Sequence, residues 1–140
     1  MYHRILVAIE NSPADQAILS HVTTLAGLTG AELLLVHVAD GFAARHFDDL
    51  KLRESEEMKG DRVYLQGLAE SLQAKSVRVS TELAMGDPAT ELIRLASERQ
   101  ADLIAMSTHG HRFINDLIRG TTVDRVRHLV KIPVLLLRAQ

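Results

Sequence analysis

The run Leu103-Ile104-Ala105-Met106 decides how this chain folds, together with Ser107-Thr108-His109-Gly110 directly behind it and, nine residues further on, Gly120-Thr121. Four apolar residues in succession suit a strand buried on both faces of a parallel sheet. The small and polar residues behind them suit a loop. The glycine–threonine pair suits the start of a helix. A strand, a loop and a helix N-terminus in that order favour an anion, because backbone N–H groups there are unpaired and the helix dipole attracts negative charge. The pattern therefore points to phosphate, and through phosphate to a nucleotide. A second reading stays open on spacing alone, with Gly110 a turn glycine and Gly120-Thr121 a flexible residue and a helix cap.

Three more runs of the same kind occur, Ile5 to Ile9, Leu33 to Val38 and Val134 to Leu137. A further stretch differs: Val77, Val79, Thr81 and Leu83 alternate with Arg78, Ser80 and Glu82, as in an edge strand with one wet face. Helical patterns lie between the strands. Ile18, Val22, Leu25 and Ala26 repeat at helix spacing behind Ser12-Pro13, and Gly30 can end that helix. Leu65, Leu68, Ala69 and Leu72 mark a second helix, starting in the charged stretch near Leu50 to Asp61. Asp87-Pro88 opens a third with Leu92, Leu95 and Ala96 inward. Val123, Val126, Leu129 and Val130 mark a fourth. This alternation predicts an α/β fold, an open doubly wound sheet of five parallel strands in the order 3-2-1-4-5, Rossmann-like, with helices on both faces. The crevice should lie where that order reverses, outside the C-terminal ends of strands one and four. Glu10-Asn11-Ser12 and Met106 to Gly110 fall there. The least regular stretch, Asp40 to Asp49, is expected to form a mobile lid over it.

The 140 residues suit a single domain, 1–140. A net charge of −2 disfavours a general nucleic-acid surface. No cysteine is present, which excludes disulfides, thiol chemistry and cysteine-bound metal. No apolar run approaches the ~18 residues that span a membrane. Met1-Tyr2-His3-Arg4 does not read as a signal peptide, and a cytoplasmic location is expected. His109, His111 and Arg112 form a polar, partly cationic cluster. Two histidines without a third ligand make no metal site. Arg112 and Arg119 offer guanidinium groups that match phosphate oxygens, Arg119 equally reading as a solvated surface residue. His37, in an apolar strand, reads as a satisfied core histidine.

The chain resembles the universal stress protein family over essentially its whole length. The likeness is carried by Ile5 to Pro13, Leu35-Val36-His37-Val38, Gly86-Asp87-Pro88-Ala89, Ser107 to Gly110, Gly120-Thr121 and Pro133 to Leu137. Nucleotide-binding members carry a glycine, two residues, a second glycine, nine residues, then glycine and serine or threonine. Gly110 and Gly120-Thr121 keep the nine-residue spacing here, and Ser107 stands where the first glycine would be. Serine adds a small side chain whose hydroxyl can itself bond a phosphate.

The resemblance implies binding of ATP or another adenine nucleotide, with or without Mg²⁺. Its site would comprise Ile9, Glu10, Val38, Met106, Ser107, His109, Gly110, Arg112, Gly120, Thr121 and Thr122. Gly110, Gly120, Thr121 and Thr122 would hold phosphates. Glu10, in the place of the family's usual aspartate, would reach the ribose, or equally help cap the following helix. Val38 and Met106 would pack near the adenine. The resemblance also implies a homodimer paired through the last strand, whose apolar Val134 to Leu137 run is unsuited to an open edge. No nucleophile–base pair marks a catalytic residue. Signalling in the stress response through nucleotide-dependent conformation is the leading reading. The alternatives are slow nucleotide hydrolysis or nucleotidyl transfer, and a dimeric interaction module that binds no nucleotide.

Overall fold

A computed structural model describes residues 1–40, 47–108 and 116–139. The apolar runs pair side by side because a strand apolar on both faces is stable only between other strands and beneath helices. The chain runs β1 (Arg4–Ala8), α1 (Ala14–Thr29), β2 (Glu32–Asp40), α2 (Phe47–Gln73), β3 (Val79–Gly86), α3 (Pro88–Glu98), β4 (Leu103–Thr108), α4 (Asp116–Leu129) and β5 (Val134–Arg138). All neighbouring strands are parallel, and their order is β3-β2-β1-β4-β5, as expected from the sequence. Leu6 pairs with Leu34 on one side and Ile104 on the other, which puts the most apolar residues at the centre of the sheet.

Side chains alternate across the sheet and build two cores. Ile5, Val7, Leu33, Leu35, Leu103 and Ala105 face Ile18 and Val22 of α1 and Leu65 and Leu72 of α2. Leu6, Leu34, Val36, Ile104 and Met106 face Leu92 and Leu95 of α3 and Val126 of α4. Each large side chain fully buried this way contributes roughly 1.5–3 kcal/mol.

The helix ends follow local chemistry. Gly30 ends α1 in the left-handed region (φ 76°), with its N–H on the Ala26 carbonyl at 2.8 Å. Asp87 caps α3: its Oδ2 accepts the Thr90 N–H at 2.9 Å and the Thr90 hydroxyl at 2.6 Å. Arg125 of α4 reaches the same oxygen at 2.6 Å, tying the two helices on that face together. The Thr90 bonds, and then Arg125, hold the Asp87 carboxyl below the usual carboxylate range.

Two local expectations change. Asp40 closes β2 and Phe47–Asp49 open α2, so those parts of the expected lid are regular structure, while residues 41–46 lie outside the described part. α4 begins at Asp116, so Gly120 falls inside it instead of just before it. An acidic residue suits a helix's first turn, and Leu117-Ile118 extend it. One interior glycine costs about 1 kcal/mol, too little to stop the helix.

Candidate functional site

The sheet order reverses between β1 and β4, and a cavity of about 1020 Å³ opens at the C-terminal ends of β1, β2 and β4. Small-molecule sites commonly occupy about 300–1,000 Å³. Ile9, Glu10, Val38, Met106, Ser107 and Thr122 all line it, six of the expected site residues brought together from three strands and α4. Thr121 is exposed on α4 and is not among the lining residues. His109, Gly110 and Arg112 lie outside the described residues, and of Gly120 only the helical backbone is described. Val38, Met106, Met85, Pro88 and Leu92 give the cavity an apolar wall. Glu10, Glu57 and Asp61 give it three carboxylates, and none of the described lining residues is lysine or arginine.

The turn behind β1 is shaped by a carboxylate that the sequence reading missed. Asp15, in the first turn of α1, is 1% exposed. Its oxygens accept the N–H groups of Glu10 (2.9 Å), Asn11 (2.9 Å) and Ser12 (3.2 Å), and the Tyr64 hydroxyl at 2.7 Å. Three successive amides are thus gathered onto one buried anion, a strong class of hydrogen bond. Asn11 takes φ 61°, a conformation that asparagine tolerates better than most residues. The Ser12 hydroxyl accepts the Ala14 N–H at 3.3 Å and donates to Glu10 Oε2 at 3.2 Å, which links the candidate ribose ligand to the helix start. The Glu10 carboxylate thus reaches the start of α1 through Ser12. Burial first, and then Asp15, push the Tyr64 phenol above its ordinary value, since both disfavour a second anion there.

α2 forms the opposite wall. Asp61 accepts the Asn11 side-chain amide at 2.9 Å and lies 3.4 Å from His37 Nε2. His37 Nδ1 is 2.8 Å from the Ile9 carbonyl. His37 is satisfied, as expected, yet it stands in the cavity wall, because its strand position brings it beside the end of β1. Asp61 closes the charged stretch near Leu50 to Asp61 and Tyr64 follows it, and neither stands in a motif that marks it as functional. Asp15 had a sequence signal: Ser12 to Asp15 has the three-residue spacing of a helix capping pair.

Ser107 is 6% exposed, and its hydroxyl has no hydrogen-bond partner among the described residues. Serine is thus accommodated at the first motif position with its hydroxyl buried. The apolar wall and Glu10 fit a nucleotide as ligand. Among the described residues no group of three metal-ligating side chains exists.

Comparison with known proteins agrees with this architecture. Universal stress protein YxiE of Bacillus subtilis is 27% identical over 150 residues, spanning 99% of this chain and 100% of that one. The solved structure of universal stress protein MJ0577, from Methanocaldococcus jannaschii, superposes with a TM-score of 0.83 at 21% identity, covering 100% of this chain and 98% of the other. A universal stress protein of Archaeoglobus fulgidus, solved in complex with dAMP, superposes with a TM-score of 0.71 at 20% identity, covering 96% and 97% of the two chains. The model of the universal stress protein family matches residues 1–138. The sheet order, the cavity at its reversal and this match lead to one conclusion: the chain belongs to the universal stress protein family.

Proposed function

We propose that the protein binds an adenine nucleotide, ATP or a smaller adenylate, in the cavity at the ends of β1, β2 and β4. It acts in stress response or signalling, in the cytoplasm, through nucleotide-dependent conformation. The observation that carries this reading is the convergence of Ile9, Glu10, Val38, Met106, Ser107 and Thr122 on one cavity. Val38 and Met106 would sandwich the base, and Glu10 would accept ribose hydroxyls. Phosphates would extend toward Gly110, Gly120, Thr121 and Thr122, with Arg112 and His109 as donors. The dAMP complex of a protein of the same fold supports an adenine ligand. Mg²⁺ would arrive on the phosphates, since this ion commonly keeps most of its waters and takes few protein ligands.

A phosphate met by the N–H groups of Gly120 to Thr122 needs the helix to start there. α4 starts one turn earlier, at Asp116. Nucleotide binding would therefore shorten α4 by about a turn, and this is the conformational change a signal would use. The outer edge of β5, unpaired among the described residues and with Leu136 39% exposed, suits a second copy of the chain across a two-fold axis. Isothermal titration with AMP, and with ATP and Mg²⁺, tests the reading. Saturable heat with thermal stabilisation is expected. Neither effect at millimolar nucleotide would refute it.

A further inference from the structure

The cavity takes its lining from both faces of the sheet, and the two faces differ in charge. Val38 and Met106 lie on the face of α3 and α4. There Pro88 and Leu92 of α3 and Thr122 and Val123 of α4 line the cavity without a carboxylate. Ile9 and His37 lie on the face of α1 and α2. α2 lines that side with Glu57, Asp61 and Tyr64. Glu10 stands just past β1, and Asn11 next to it donates to Asp61 at 2.9 Å, which brings Asp61 beside the Glu10 turn. All carboxylates among the described lining residues thus belong to that turn or to α2. No described lysine or arginine offsets them, and His37 already faces Asp61 at 3.4 Å. A cleft lined by one sign of charge repels a further charge of that sign more strongly than an open surface does.

The stereochemistry of a nucleotide decides which of its groups meets the acidic side. The base and the 5′ carbon stand on one face of the sugar ring, and the 2′ and 3′ hydroxyls on the other. With the base between Val38 and Met106 and the 5′ phosphate toward α4, the hydroxyl face turns to Glu10 and α2. Hydroxyls donate to carboxylates and suit that side. A phosphate in their place brings negative charge and acceptor oxygens only.

We propose that the acidic side makes the cavity selective for adenylates phosphorylated at the 5′ position alone. Glu57 and Asp61 keep phosphate off the 2′ and 3′ edge of the sugar, beside the ribose hydroxyls that Glu10 accepts. This rests on the nucleotide-binding reading of the cavity. Like charge placed against the wrong ligand gives specificity without any added contact to the right one.

The isomers 5′-AMP and 3′-AMP differ in where the phosphate sits and not in its presence, so their comparison isolates its position. Isothermal titration with each tests the wild type, Glu57→Lys, and the pair Glu57→Gln with Asp61→Asn. The wild type should bind 5′-AMP at least about fivefold more tightly than 3′-AMP. Both variants should lower that ratio at least about fourfold, through a gain in 3′-AMP affinity, because a repelling charge is reversed or two are removed. Glu57 is exposed, so its replacement leaves the core intact. Asp61→Asn keeps an oxygen for the Asn11 amide. A wild-type ratio below about fivefold overturns the inference and leaves the nucleotide reading standing. So does a ratio within about twofold of wild type in both variants, or one that falls with no gain in 3′-AMP affinity. A wild type that binds neither isomer overturns the nucleotide reading, and this inference with it.

Discussion

Replacing Asp15 by alanine removes the acceptor of four hydrogen bonds at once, from the amides of Glu10, Asn11 and Ser12 and from the Tyr64 hydroxyl. Each bond to a charged group contributes roughly 1.5–3 kcal/mol, so four amount to roughly 6–12 kcal/mol. Against this stands the cost of holding a carboxylate at 1% exposure, several kcal/mol for a buried ion. Water can reach some of the released amides, because Glu10 and Asn11 line the cavity. The net loss should be about 3 kcal/mol, in line with removal of one partner from a buried charged network. Urea unfolding followed by circular dichroism measures it. With a slope of about 1.5 kcal/mol/M, the midpoint should fall by about 2 M. Asp15→Asn keeps one acceptor oxygen but turns an NH₂ toward at least one donor, and should fall by about half as much. A midpoint shift under about 0.5 M for the alanine variant would refute the reasoning: the turn would then be held by its flanking elements and not by the carboxylate.

Three further outcomes are expected. Gly30→Ala should cost about 1 kcal/mol, or about 3 °C in melting temperature, purely from the positive φ, because nothing lies within 4 Å of the added Cβ; an unchanged melting temperature would contradict this. The Tyr64 phenol has a folded-state pKa above its unfolded value of about 10, so its contribution is complete below that pH and is lost as pH rises past it. The wild type should therefore lose more stability between about pH 9 and 11 than Tyr64→Phe, and equal losses in urea titrations would rule the linkage out. Light scattering at tens of micromolar should give twice the chain mass of 15.5 kDa if β5 pairs with a second copy; a monomer mass would exclude that pairing.

The strand set and its order were legible in the sequence because buried parallel strands need continuous apolar runs, and Ile5 to Ile9 or Leu103 to Met106 allow no other neighbours. The place of the crevice followed from that order. Val38, Met106 and Glu10 could be assigned to it because each stands at or just past the C-terminal end of its strand. Helix ends were less legible. A glycine–threonine pair reads as a helix start, yet propensity differences of about 1 kcal/mol do not fix a boundary when Asp116, Leu117 and Ile118 also favour helix. Only the folded chain decided the rest. Asp15, Tyr64, His37 and Asp61 come from α1, β2 and α2 and meet through contacts between residues up to 50 positions apart. A polar residue on a helix looks solvated until packing takes the water away. The same holds for Ser107: its identity was written in the sequence, but the loss of every partner for its hydroxyl among the described residues came from burial, which is a property of the tertiary structure.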